Sequence, residues 1–109
     1  MKILSPIELN IVTYTASITL AKIDGGKLIL MNVSSANTIT VPLNSSVNLP
    51  VGTQIAIIQT GLGQTSFVAS SGVTINSDTS KLKISTQYSG ATLIKTATNT
   101  WSLIGNLSA

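Results

Sequence analysis

The sequence predicts an all-β fold: one domain, built as an antiparallel β-sandwich or a barrel-like knob. Three observations carry that expectation. Apolar and polar residues alternate with a period of two in several stretches, helical periodicity is hard to find, and turn signals recur at short intervals. At 109 residues the chain is long enough to bury a core and short enough for that burial to be marginal.

The first stretch, "MKILSPIELNIVTYTA", has large apolar residues, one proline and no glycine turn. It begins like a signal peptide, but Pro6 and Glu8 fall where an apolar region belongs and no small-residue cleavage site follows. An unprocessed chain is therefore expected. Residues 1–20 are read as an apolar N-terminal arm or an edge strand, and residues 21–109 as the knob itself. Ile3, Leu4, Pro6, Ile7, Leu9, Ile11 and Val12 are too apolar to be left in water, which makes them the candidate residues for docking on a neighbouring subunit or another partner surface.

Within the knob, Asp24-Gly25-Gly26 has the composition of a hairpin turn, since glycine adopts positive φ without a Cβ clash. Leu28–Met31 and Ile55–Ile58 are apolar on both faces, as strands are in the middle of a sandwich or between subunits. Thr38–Val41, Val73–Asn76, Leu82–Ile84 and Thr100–Leu103 alternate, as half-buried strands do. Leu49-Pro50-Val51-Gly52 places proline at the second position of a turn; Ser70-Ser71-Gly72 and Ser89-Gly90 supply two more. No internal repeat is evident, and no linker divides the chain.

The run "QIAIIQTGLGQTSFVAS" raises a sharper question, because Gly61-Leu62-Gly63 could cradle a phosphate. A phosphate loop requires a lysine just after its last glycine and a helix behind it. Here Gly63 is followed by Gln64-Thr65-Ser66-Phe67-Val68, and Ser66 stands where a dinucleotide fingerprint has its third glycine. Those β-branched and aromatic residues favour a second strand, so Gly61 and Gly63 are read as hairpin residues. With Gly25, Gly26, Gly52 and Gly72 they make up the expected structural turns.

Composition narrows the function. Hydrophobic residues are 43% and charged residues only 8%, against about 25% in an average soluble domain. Ser, Thr and Asn, about a third of the chain, carry the polar surface, and such a surface does not repel a second copy of itself. The net charge of +3 comes from scattered lysines at 2, 22, 27, 81, 83 and 95, without arginine. No basic block or arginine fork suits a nucleic acid, so solvated lysines are the expectation. No apolar run approaches a membrane span of about 18 residues.

Chemistry is sparse. Histidine and cysteine are absent, which removes the commonest general bases, thiol nucleophiles and zinc ligands. The carboxylates are Glu8, Asp24 and Asp78, and the two aspartates sit in turn-like contexts. Neither an enzyme nor a bound metal or cofactor is expected. Trp101 alternates with Leu103 and belongs in a core; Tyr88, beside a Ser-Gly turn, could face a sugar or a partner.

One resemblance covers residues 24–109. The runs "VPLNSSVNLPVGTQIAIIQTGLGQTSFVASSGVTINS" and "LKISTQYSGATLIKTATNTWSLIGNLSA" resemble a β-rich, knob-like domain of tailed-bacteriophage virion proteins. Val41-Pro42, Asn44-Ser45, Pro50-Val51-Gly52-Thr53, Gly63-Gln64, Gln87-Tyr88, Ala91-Thr92-Leu93, Trp101 and Gly105 carry it; Leu49 and Ser108 depart from it. The resemblance implies a trimer at the end of a fibre, head appendage or tail protein. Since no fibre shaft is present, the expectation is a non-enzymatic, homotrimeric capsid decoration (cement) protein that binds the major capsid protein at the virion surface, with no nucleic-acid or membrane partner. The alternative is a receptor- or glycan-binding knob of a head or tail fibre.

Overall fold

Alternating side chains become paired strands throughout the computed structural model, which describes residues 8–109. The strands are β1 (Ile11–Tyr14), β2 (Ile18–Thr19), β3 (Leu28–Met31), β4 (Asn37–Val41), β5 (Gln54–Gln59), β6 (Thr65–Ala69), β7 (Thr74–Ser77), β8 (Lys83–Ile84), β9 (Gly90–Ala97), β10 (Thr100–Gly105) and β11 (Leu107–Ser108). Among the described residues, helix is confined to two three-residue 3-10 turns, Lys22–Asp24 and Asp78–Ser80. All four alternating stretches fall on strands, as do both doubly apolar runs.

Two sheets share one core. The six-stranded sheet has the order β1-β3-β5-β9-β10-β7 and the five-stranded sheet β11-β8-β6-β4-β2. Both are mixed, which corrects the antiparallel arrangement expected from the turn spacing. Among the described residues five of the nine pairings are parallel: β1 with β3, β3 with β5, β2 with β4, β4 with β6, and β7 with β10. The cause is the path of the chain. From β1 to β6 it crosses from one sheet to the other after each strand, so successive strands in a sheet point the same way. A short glycine turn serves a crossing as well as a hairpin, and composition does not separate the two.

This winding corrects two turn assignments. Asp24-Gly25-Gly26 is not a hairpin; it leads from the Lys22–Asp24 turn into β3, on the opposite sheet from β2, and Gly26 takes φ +75. Gly61-Leu62-Gly63 likewise crosses from β5 to β6 instead of reversing within a sheet. Neither Gly61 nor Gly63 has positive φ. Glycine is required there by close approach, because a Cβ on Gly61 would collide with the Val33 backbone and one on Gly63 with that of Ser35. Gly52 (φ +94) and Gly72 (φ +92) do use the left-handed region that L side chains avoid.

Ile29, Met31, Ile55, Ile57, Leu93, Trp101 and Leu103 from the larger sheet meet Ile39, Val41, Phe67 and Ile84 from the smaller in one buried cluster. Trp101 is 2% exposed, the core role its alternation with Leu103 predicts. Each large side chain so buried contributes about 1.5–3 kcal/mol relative to exposure.

Residues 8–20 form the first turn of this winding. Ile11–Tyr14 pair in parallel with Leu28–Met31, and Ile18–Thr19 pair with Ile39–Thr40, at one edge of each sheet. Val12 packs against the core, whereas Leu9 and Ile11 are exposed. Ile3, Leu4, Pro6 and Ile7 lie outside the described residues.

Candidate functional site

The outward faces of the two sheets differ in chemistry. On the six-stranded sheet the register aligns Ile11, Leu28, Ala56, Thr92 and Ile104 in one row across five strands. Leu30 and Ile58 pair in the next row on the same face, and Ile94 lies on it opposite Gln54 and Ser102. Ile11 is 63% and Ile104 57% exposed; Leu28, Leu30, Ile58 and Ile94 are half-buried. Among the described residues, no strand position on this face carries a charge. The five-stranded sheet instead turns outward Thr19, Thr38, Thr40, Ser66, Val68 and Lys83. The doubly apolar runs Leu28–Met31 and Ile55–Ile58 account for most of the contrast.

At one end of the winding the crossing turns stack. Asn32 N donates to Tyr14 O, Gly61 N to Met31 O, Gly63 N to Val33 O (2.9 Å), Tyr88 N to Gln59 O (2.7 Å) and Asn106 N to Gly90 O. A buried polar cluster lies beneath them. Thr65 Oγ1 donates to Asn37 Oδ1 (2.7 Å), Asn37 Nδ2 to Ser35 O and Gly63 O, Thr65 N to Gln59 Oε1 (3.0 Å) and Gln59 Nε2 to Gly61 O. Satisfied amides of this kind hold turns rigidly, because breaking one leaves a buried polar group unpaired. Over the stacked turns runs an open groove of ≈ 580 Å³, with Asn32, Ser34, Ser35, Thr60, Gln87 and Tyr88 among its walls.

Two buried ionisable groups lie away from that groove, and sequence reasoning missed both roles. Lys95, expected to be solvated, is 2% exposed; its Nζ donates to Asn44 Oδ1 (2.6 Å) and Leu49 O (2.7 Å) and lies 5.8 Å from the Trp101 ring centre. Desolvation lowers its pKa below that of an ordinary lysine. The signal was present, since Ala91, Leu93 and Lys95 share the inward parity of one strand. With these contacts Lys95 fastens the long connection from β4 to β5. Asp24 is 1% exposed and accepts hydrogen bonds from Tyr14 Oη (2.6 Å) and Ala21 N (2.8 Å). The hydrogen bond to Asp24 is the main cause that pushes the Tyr14 hydroxyl up to about 12.

The candidate residues scatter accordingly. Leu9, Ile11 and Val12 lie at the β1 edge, and Ile11 joins the apolar face. Gly61 and Gly63 pack the stacked turns, whereas Gly25, Gly26, Gly52 and Gly72 lie in other turns. Asp24 is committed to Tyr14 and Ala21, while Glu8 and Asp78 are exposed. No group of three His, Cys, Asp or Glu among the described residues could hold a metal ion, and no helix there is long and apolar enough to cross a membrane.

The class these features define is a mostly-β single domain of two mixed sheets. Comparison with family models, with curated proteins and with solved structures gives no match.

Proposed function

We propose that the chain is a non-enzymatic structural protein of a virion, a homotrimeric decoration (cement) protein that binds the major capsid protein at the shell surface and reinforces it. The sequence resemblance to phage knob domains supports this reading, and so do the two sheets, taken as the layers of a sandwich. The observation that carries it is the uncharged outward face of the six-stranded sheet. Ile11, Leu28, Leu30, Ile58, Ile94 and Ile104 form a surface that a second and third copy of the chain cover without like-charge repulsion. Three copies in one rigid unit make weak footholds on a shell act together.

The apolar N-terminal residues Ile3, Leu4, Pro6, Ile7 and Leu9 are the proposed footholds. Removing residues 2–10, which spares β1, is expected to leave the fold intact and weaken capsid binding. The trimer itself is tested by sedimentation equilibrium. The wild-type chain is expected to sediment as a trimer at micromolar concentration, and Ile104→Lys as a folded monomer. A wild-type monomer at that concentration overturns the reading. In purified virions a decoration protein numbers in the hundreds per particle, whereas a fibre knob is far rarer, so gel densitometry separates the two.

A further inference from the structure

The groove over the stacked turns lies apart from the apolar sheet face, and its chemistry differs. Asn32, Ser34, Ser35, Thr60 and Gln87 supply neutral donors and acceptors around ≈ 580 Å³, and its lining residues include no charged side chain. Beside them stands Tyr88, 75% exposed, at φ +66. A non-glycine residue in that conformation is strained, and an aromatic with its ring in water recovers little of the cost by burial. The surroundings hold the strain in place. Tyr88 N donates to Gln59 O, Ser89 Oγ donates to Thr86 O (2.7 Å) and accepts from Thr86 N, and Gln87 Nε2 donates to Thr60 O (3.0 Å). Glycine would satisfy the same turn without strain, so the ring is unexplained by folding.

We propose that this groove binds a neutral carbohydrate, with Tyr88 as the platform on which the apolar C–H face of a sugar ring stacks. The amide and hydroxyl groups then meet the sugar hydroxyls, which both donate and accept as these side chains do. Leu62, 76% exposed on the same groove, extends the apolar side of the platform. Single-stranded nucleic acid fits less well, because it calls for several stacked aromatics and a basic track. A phosphorylated or acidic sugar finds no cation among the lining residues.

The test is saturation-transfer NMR on the full chain with maltohexaose, cellohexaose and mannohexaose as probes. Transfer to the ring protons of at least one probe is expected. Tyr88→Gly is expected to weaken it roughly tenfold or more while raising the melting temperature, since strain is relieved and no packing is lost. Asn32→Ala should weaken transfer with the melting temperature unchanged. No transfer to any of the three probes overturns the proposal, as does undiminished transfer in Tyr88→Gly. A fall in the melting temperature of Tyr88→Gly also overturns it, because the ring would then be a packing element. These readouts do not depend on oligomeric state, so the proposal and the trimer stand or fall separately.

Discussion

Replacing Gly63 with alanine adds one methyl group where two turns cross in close contact. The new Cβ would lie 2.8 Å from Ser35 N and closer still to the Ser35 carbonyl. Non-bonded heavy atoms rest about 3.5–4.0 Å apart, so the two turns must separate by about 1 Å or more. Both neighbours are backbone, and neither can swing aside as a side chain would. That separation loosens Gly63 N to Val33 O (2.9 Å), Asn37 N to Gln64 O (3.0 Å) and Asn37 Nδ2 to Gly63 O (3.3 Å). Leaving two such buried groups unpaired costs about 1–3 kcal/mol each, so the variant is expected to lose about 2–6 kcal/mol. A domain of this length has only about 5–15 kcal/mol in total. Urea denaturation followed by fluorescence of the buried Trp101 measures the loss. Gly26→Ala is the control: φ is +75 there and no atom lies within 4 Å of an added Cβ, so only backbone strain of about 1–2 kcal/mol is introduced. If Gly63→Ala costs no more than Gly26→Ala, the close stacking of turns is refuted.

The Tyr14–Asp24 pair makes stability fall at high pH. Its contribution is complete below the unfolded tyrosine value of about 10 and disappears as pH rises through about 12, so the urea midpoint should drop across that window in the wild type and much less in Tyr14→Phe. Lys95→Ala should cost about 2–4 kcal/mol, because it empties buried volume and strips donors from Asn44 Oδ1 and Leu49 O; Lys22→Ala, at an exposed site, should stay within about 0.5 kcal/mol. Ile11→Lys should dissociate the proposed trimer as Ile104→Lys does, with the far-ultraviolet circular dichroism of both variants unchanged.

Strand positions were legible because alternation reports burial directly. Thr38–Val41 and Thr100–Leu103 show it in four residues each, and β4 and β10 contain them whole. Pairing was not legible. Ile11, Leu28 and Ala56 occupy one row of the larger sheet, yet the connections between them differ in length, so no repeat shows in the sequence. Gly63 was legible as a turn residue, from the strand-forming residues after it, but not as part of a crossing. Those neighbours are local, whereas collision with Ser35 depends on a segment far away in the chain. The groove was nearly invisible for the same reason, since Asn32, Thr60 and Gln87 come from three separate turns. Tyr88 alone gave a hint, as an aromatic beside Ser89-Gly90.

The crossing path also constrains the order in which the molecule can assemble. Among the described residues, β9 and β10 are the one pair of strands adjacent in both chain and sheet. Every other ladder closes a longer loop before any pairing is gained, which costs entropy first and slows folding. The longest of these closures joins β5 to β9, and β7 waits too, because it precedes β10 in the chain but borders the sheet only through β10. On a ribosome, β1, β3 and β5 emerge well before β9, leaving the apolar strand Ile55–Ile58 as an open edge until residues 90–97 arrive. Slow or interrupted synthesis between β5 and β9 therefore exposes this chain to aggregation more than loss of a residue from its exposed surface would.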